Sequence, residues 1–193
     1  MKREKNIKAK YIVVAFSLIE KEGWKEFSLN KLAHVTKKKI DEIKKLFPIE
    51  SKILEDFTEM IDEQVIKDID HEELAQNSVK DNLFELIMTR FEKLNPYKGA
   101  MKIIFKELQR QPIILKKLTK KICDSMDLFL ELSNAKNNYF LDIVKLNVIV
   151  IIYGYTFKVW LNDDSKDMGK TMVETDKWLS KAENFSEKIT TIF

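Results

Sequence analysis

The chain has 193 residues, 45% hydrophobic and 34% charged, with four glycines, three prolines and one cysteine. Such a length buries a sizeable core, as one domain or as a small domain joined to a larger one. So few breakers in a chain rich in Leu, Ile, Lys and Glu point to an all-α fold, and Cys123 alone excludes an internal disulfide or a cysteine-based zinc site.

The net charge of +3 conceals an asymmetry. Residues 1–52 hold 14 Lys/Arg against 7 Asp/Glu, while the remainder holds 20 against 24. A basic head on an acidic body fits a head that meets polyanions, although a lysine-biased genome gives the same excess. MKREKNIKAK opens without an apolar leader, so no signal peptide is expected. The apolar run from Leu146 to Trp160 is interrupted by Asn147 and Lys158 and is shorter than a bilayer span. The expected location is the cytoplasm.

Ile7, Tyr11, Val14 and Leu18 recur at helical spacing and predict a first helix over 5–22. Gly23 follows, where a left-handed residue closes a helix. Ser28 suits the N-cap of a short second helix that turns Leu29, Leu32 and Ala33 inward. A third runs from about Lys38 to Phe47 with Ile40, Ile43 and Phe47 inward, until Pro48 stops it. Its uncommitted residues are Lys38, Lys39, Asp41, Glu42, Lys44 and Lys45. A fourth helix, 51–68, is capped by Ser51 and carries Ile53, Leu54, Phe57 and Ile61.

The body begins near Ser78, where Leu83, Leu86, Ile87, Arg90, Phe91 and Leu94 trace a helix ended by Pro96. Helices follow over 100–110 and 113–133, then a loop NAKNN at 134–138. Residues 142–161 are apolar on nearly all sides, which marks a helix buried in the core or between subunits. The last helix spans 166–192. About nine helices result, with no repeat, low-complexity linker or strand-period segment.

The chemistry of an enzyme is missing from the sequence. His34 and His71 lie in different elements without a carboxylate or thiol at metal-ligand spacing. Asp163, Asp164 and Asp167 lack the glycine and glutamate of a calcium loop and read as acids favoured by a helix dipole. There is no glycine-rich phosphate loop and no nucleophile elbow. No catalytic activity, cofactor or metal is expected.

Gly23, Phe27, Ser28, Leu29, Leu32, Ala33, Phe47 and Pro48 stand in an order and spacing that resembles the N-terminal helix-turn-helix of the TetR family of bacterial repressors. The resemblance covers Ala15 to Leu54. It places the family's turn glycine at Lys37, its following buried valine at Lys38 and its phosphate-contacting tyrosine at Lys44. The post-proline lysine is displaced to Lys52, because Glu50 stands in its place. A lysine at a left-handed position costs about 1 kcal/mol relative to glycine. Lys44 meets a phosphate as a point charge, but Asp41 and Glu42 oppose it and the helix offers no arginine for bidentate guanine readout. The expected phosphate contacts are Lys38, Lys39, Lys44, Lys45 and Lys52, with hydroxyl contacts from Ser28 and Thr36.

A second resemblance covers most of the body. Arg90-Phe91, Leu94-Asn95-Pro96-Tyr97, Gln111-Pro112, the run from Trp160 to Asp167, Thr171 and Leu179, together with Gly23-Trp24, are similar to a TetR-fold family of lipid-binding accessory proteins of ubiquinone biosynthesis. It implies an apolar cavity for an isoprenoid or other lipid, a peripheral membrane or hydroxylase partner, and no need to bind DNA. The tryptophan-tyrosine-arginine segment of that family is not evident between Asp124 and Lys158. From the residues themselves, Phe84, Met88, Phe91, Met101, Phe105, Met126, Phe129, Tyr153 and Trp160 would suit the lining of a cavity between helices. The same stripe at helical spacing equally makes a plain core.

The sequence therefore predicts an all-α, TetR-like homodimer with a helix-turn-helix head at 1–50 and a ligand-binding and dimerisation body at 51–193. Its last two long helices would pair with their copies across a two-fold axis. The expected function is a DNA-binding transcriptional repressor released by a small hydrophobic effector. The alternative is a lipid-binding accessory protein of ubiquinone biosynthesis with a degenerate helix-turn-helix.

Overall fold

A computed structural model describes residues 2–190, and side chains from 4 to 186. The described residues form helices and no strand. In chain order these are α1 (Lys2–Glu22), α2 (Leu29–Val35), α3 (Ile40–Leu46), α4 (Glu50–Asp68), α5 (His71–Gln76) and α6 (Val79–Leu94). A 3-10 turn (Asn95–Tyr97) leads to α7 (Lys98–Leu108), α8 (Pro112–Leu132), α9 (Tyr139–Leu161) and α10 (Gly169–Thr190). The chain divides into two compact units, Met1–Glu63 with Leu94–Lys121, and Gln64–Lys93 with Ile122–Phe193.

In the first unit the inward stripe of α1 is Ile12, Ala15, Phe16 and Ile19, all nearly inaccessible to water. Phe16 stacks on Phe57 of α4 at 3.9 Å between ring centroids, and Tyr97 meets both rings edge-on at 5.4 and 5.0 Å. Such edge and offset contacts suit the charge distribution of aromatic rings. Gly23 closes α1 with φ +93°, and its N–H donates to Ile19 O at 2.9 Å. Trp24 and Phe27 stack beyond it at 5.8 Å, sealing the approach to α2. Helix α7 lies against α1. A Cβ at Gly99 would stand 1.9 Å from Glu20 Oε1, so the missing side chain permits that approach.

In the second unit Phe91 of α6 stacks on Tyr153 at 5.4 Å and on Trp160 at 5.6 Å, both from α9. The Arg90 guanidinium is fully buried, donates to Tyr153 Oη and lies 5.0 Å from that ring. Helices α9 and α10 pack along each other, and Tyr155 meets Trp178 edge-on at 5.4 Å.

Several boundaries differ from the sequence reading for local reasons. Helix α3 begins at Ile40 rather than Lys38, because Lys37 is left-handed and Lys39 is extended. Ser51 is buried inside the first turn of α4 instead of capping it. Helix α5 was not expected; its cap is Asp70, whose carboxylate accepts the N–H groups of Glu72 and Glu73. Helix α9 starts at Tyr139 because Asn138 Oδ1 accepts from Phe140 and Leu141. At 23 residues it exceeds the run from Leu146 to Trp160, and by length and composition it is long and apolar enough to cross a bilayer. Helix α10 starts at Gly169 after left-handed Met168, and Ile192 lies outside the described residues.

Candidate nucleic-acid interface

Helices α2 and α3 form a helix-turn-helix. Ser28 is the extended N-cap of α2, and its Oγ accepts the Lys31 N–H at 3.2 Å. Leu29, Leu32 and Ala33 then fall on the buried face, while Asn30 and His34 face water. At the far end the Thr36 hydroxyl donates to Leu32 O at 2.7 Å. Lys37 then takes φ +54°, and the Lys38 N–H returns to Ala33 O at 2.9 Å. That reversal closes α2 and launches α3, which is anchored by fully buried Ile43 and followed by fully buried Phe47.

The sequence-predicted contact residues separate into three groups. Lys39, Lys44 and Lys45 are exposed and make no ion pair among the described residues. Lys38 is exposed but lies 3.8 Å from the Glu42 carboxylate, one helical turn along. Lys52 is drawn back onto α4, with Nζ 2.7 Å from Asp56 and 3.7 Å from Glu55. Partial burial disfavours its charge, but the Asp56 hydrogen bond and the surrounding carboxylates outweigh that and raise its pKa. Lys8 of α1 reaches the other oxygen of the same Asp56 at 3.1 Å. Asp56 is thus shared between two lysines, a feature that the sequence reading missed. Its only signal was the four-residue spacing from Lys52.

The two hydroxyls are also engaged. Ser28 Oγ accepts a bond as a cap and retains a proton to donate, which suits a phosphate oxygen. The Thr36 proton already serves Leu32 O, leaving it acceptor capacity only. Asp41 stands three and four residues before Lys44 and Lys45, so the acid shares their surface row. The exposed surface of α3 is a mixed field of Asp41 and Glu42 against Lys44 and Lys45, and the excess of cations stands on the turn before it, at Lys37, Lys38 and Lys39.

The nine residues considered for a ligand cavity do not behave alike. Phe91, Met126, Phe129 and Trp160 are completely buried, and Met88 and Tyr153 nearly so. Phe84, Met101 and Phe105 are half-buried. The structure brings Phe91, Tyr153 and Trp160 into one stacked cluster with Phe157. Met101 and Phe105 belong to the first unit and the other seven to the second.

No family model matches this chain, and no curated protein matches it. Among solved structures, the crystal structure of the TetR transcriptional regulator from Nitrosomonas europaea ATCC 19718 is similar, with a TM-score of 0.79 at 15% sequence identity. The likeness covers 92% of this chain and 98% of that one. The fold is therefore TetR-like and all-α. The comparisons lend no support to the resemblance with the ubiquinone accessory family.

Proposed function

We propose that this chain is a DNA-binding transcriptional regulator that works as a homodimer. The observation that carries this reading is the α2–turn–α3 unit, whose left-handed turn at Lys37 leaves Lys39, Lys44 and Lys45 exposed. Lysines held on a fixed helix neutralise phosphates and release counterions, which supplies affinity without sequence information. The base-reading part would fall to the remaining exposed positions of α2 and α3, since α3 carries no arginine.

The outward faces of α9 and α10 support the dimer. Ile143, Val144, Ile151 and Val173 are large apolar side chains exposed to water, Ile151 by 71%. A run of this kind on two adjacent helices is covered by pairing with its own copy about a two-fold axis. The same pairing gives the apolar length of α9 a use that needs no bilayer. Two heads then meet two half-sites one helical turn of DNA apart. As the regulatory mode we propose repression relieved by a small hydrophobic effector in the body.

The test is retardation of DNA from upstream of this protein's own gene. Binding tighter than to random duplex, falling steeply as salt rises, is expected. Equal affinity for random duplex would remove sequence-specific regulation from the reading.

A further inference from the structure

The corner between α7 and α8 carries a surface that the proposed function leaves unused. From Gln109 to Lys121 the chain reads QRQPIILKKLTKK, with five basic residues and no acid. No residue in that span is buried, although α8 opens on Ile113, Ile114, Leu115 and Leu118. Ile113 is 75% exposed and Leu115 39% exposed. By contrast the later half of the same helix buries Ser125, Met126, Phe129 and Leu130. An isoleucine-leucine run without a covering surface is costly to leave in water.

The spacing arranges charge around the apolar residue. Lys116, Lys117 and Lys120 stand three, four and seven positions after Ile113, on the same side of α8. None of the three makes an ion pair among the described residues. Acids enter that row only past the corner, at Asp124, four residues after Lys120, and at Asp127, which lies 2.7 Å from Lys136, while Glu107 before the corner lies 3.2 Å from Lys25. Lys121 alone turns back, to Glu59.

We infer that the Arg110–Lys120 corner docks on an anionic lipid surface, with Ile113 entering the acyl boundary and the lysines at headgroup level. An interfacial helix needs this combination of basic side chains and exposed aliphatic ones. A second copy on this face would oppose lysine to lysine. A nucleic acid would satisfy the cations but leave Ile113, which shares their side of the helix, against phosphate. The lipid surface accommodates both.

Flotation of the full chain with vesicles tests this. Vesicles of equal parts phosphatidylglycerol and phosphatidylcholine should carry the protein upward, and phosphatidylcholine alone should not, with the bound fraction falling as salt rises. Lys116→Gln, Lys117→Gln and Lys120→Gln together should lower partitioning by roughly a hundredfold, each lysine contributing about a factor of five. Ile113→Ser should weaken it at unchanged charge. Lys44→Glu with Lys45→Glu, in the helix-turn-helix, should leave it unaltered. These positions are exposed, and an unchanged helical circular dichroism signal checks that each variant folds. Absence of flotation, equal flotation of the α8 variant, or loss through the Lys44/Lys45 variant alone each overturns the proposal. So does an α8 variant that loses only affinity for random-sequence DNA, which would assign the corner to nucleic acid.

Discussion

One oxygen of the Asp163 carboxylate accepts both the backbone N–H of Thr171, at 2.8 Å, and its hydroxyl, at 2.7 Å. The other accepts the Ser165 N–H at 3.1 Å and its hydroxyl at 2.5 Å. The buried aspartate therefore ties the end of α9 to the start of α10. Burial alone would raise its pKa, but the four bonds together hold it far below the ordinary carboxylate range. A depressed folded-state pKa gives stability that is present above the unfolded value and lost as pH falls through the folded one. Asp163→Asn should cost about 1–3 kcal/mol at neutral pH. Urea unfolding of parent and variant should converge as pH drops below about 4.

The helix-turn-helix contains a strained position. Lys37 holds φ +54°, a conformation that costs an L-residue with a side chain roughly 1–2 kcal/mol. Lys37→Gly should raise stability by about 1 kcal/mol despite the freer unfolded chain. Lys37→Val should lower it by about 1 kcal/mol or more, since a β-branched residue tolerates the left-handed region least. Thermal unfolding followed by circular dichroism reads both.

The lysines of the head should not contribute equally to DNA binding. Lys44 and Lys45 are exposed without ion pairs among the described residues, whereas Lys52 is already held by Asp56. Lys44→Gln with Lys45→Gln should reduce the slope of log affinity against log salt by about 2 if both meet phosphates. Lys52→Gln should change affinity less than either single substitution. Titrations at several salt concentrations separate these outcomes.

A dimer through α9 and α10 has a sharp test at Ile151, whose side chain faces water in the single chain. Ile151→Lys should yield a monomer by analytical ultracentrifugation where the parent sediments at twice the monomer mass. Apolar anchors near the centre of an interface typically cost about 2 kcal/mol or more when removed. A parent that already sediments as a monomer would remove the half-site geometry with it.

Much of the helix-turn-helix was readable from residue type, because its constraints are local. Gly23 announces a left-handed closure, and Ser28 followed by Leu29, Leu32 and Ala33 announces a capped amphipathic turn. Lys37 did not announce itself, since lysine has no preference for positive φ; only the spacing relative to Leu32 and Phe47 located it. Helix α5 escaped because HEELAQ buries a single apolar side chain, Leu74, and no period emerges from one residue. The spacing of Asp163, Asp164 and Asp167 reads as dipole-favoured acids, whereas Asp163 bonds to Thr171 eight residues on. The basic corner at the start of α8 was hidden by summing charge over residues 53–193, where its cations were cancelled by distant acids.

Asp56 gives the head an adjustable set-point. Its one carboxylate occupies Lys8 and Lys52 together, from a buried position on α4 rather than on the exposed surface of α3. Losing that single negative charge would release Lys8 and leave Lys52 with Glu55, without touching α2 or α3. Under the proposed DNA-binding role, the charge that the head offers a polyanion is then set in part from behind, apart from Lys39, Lys44 and Lys45.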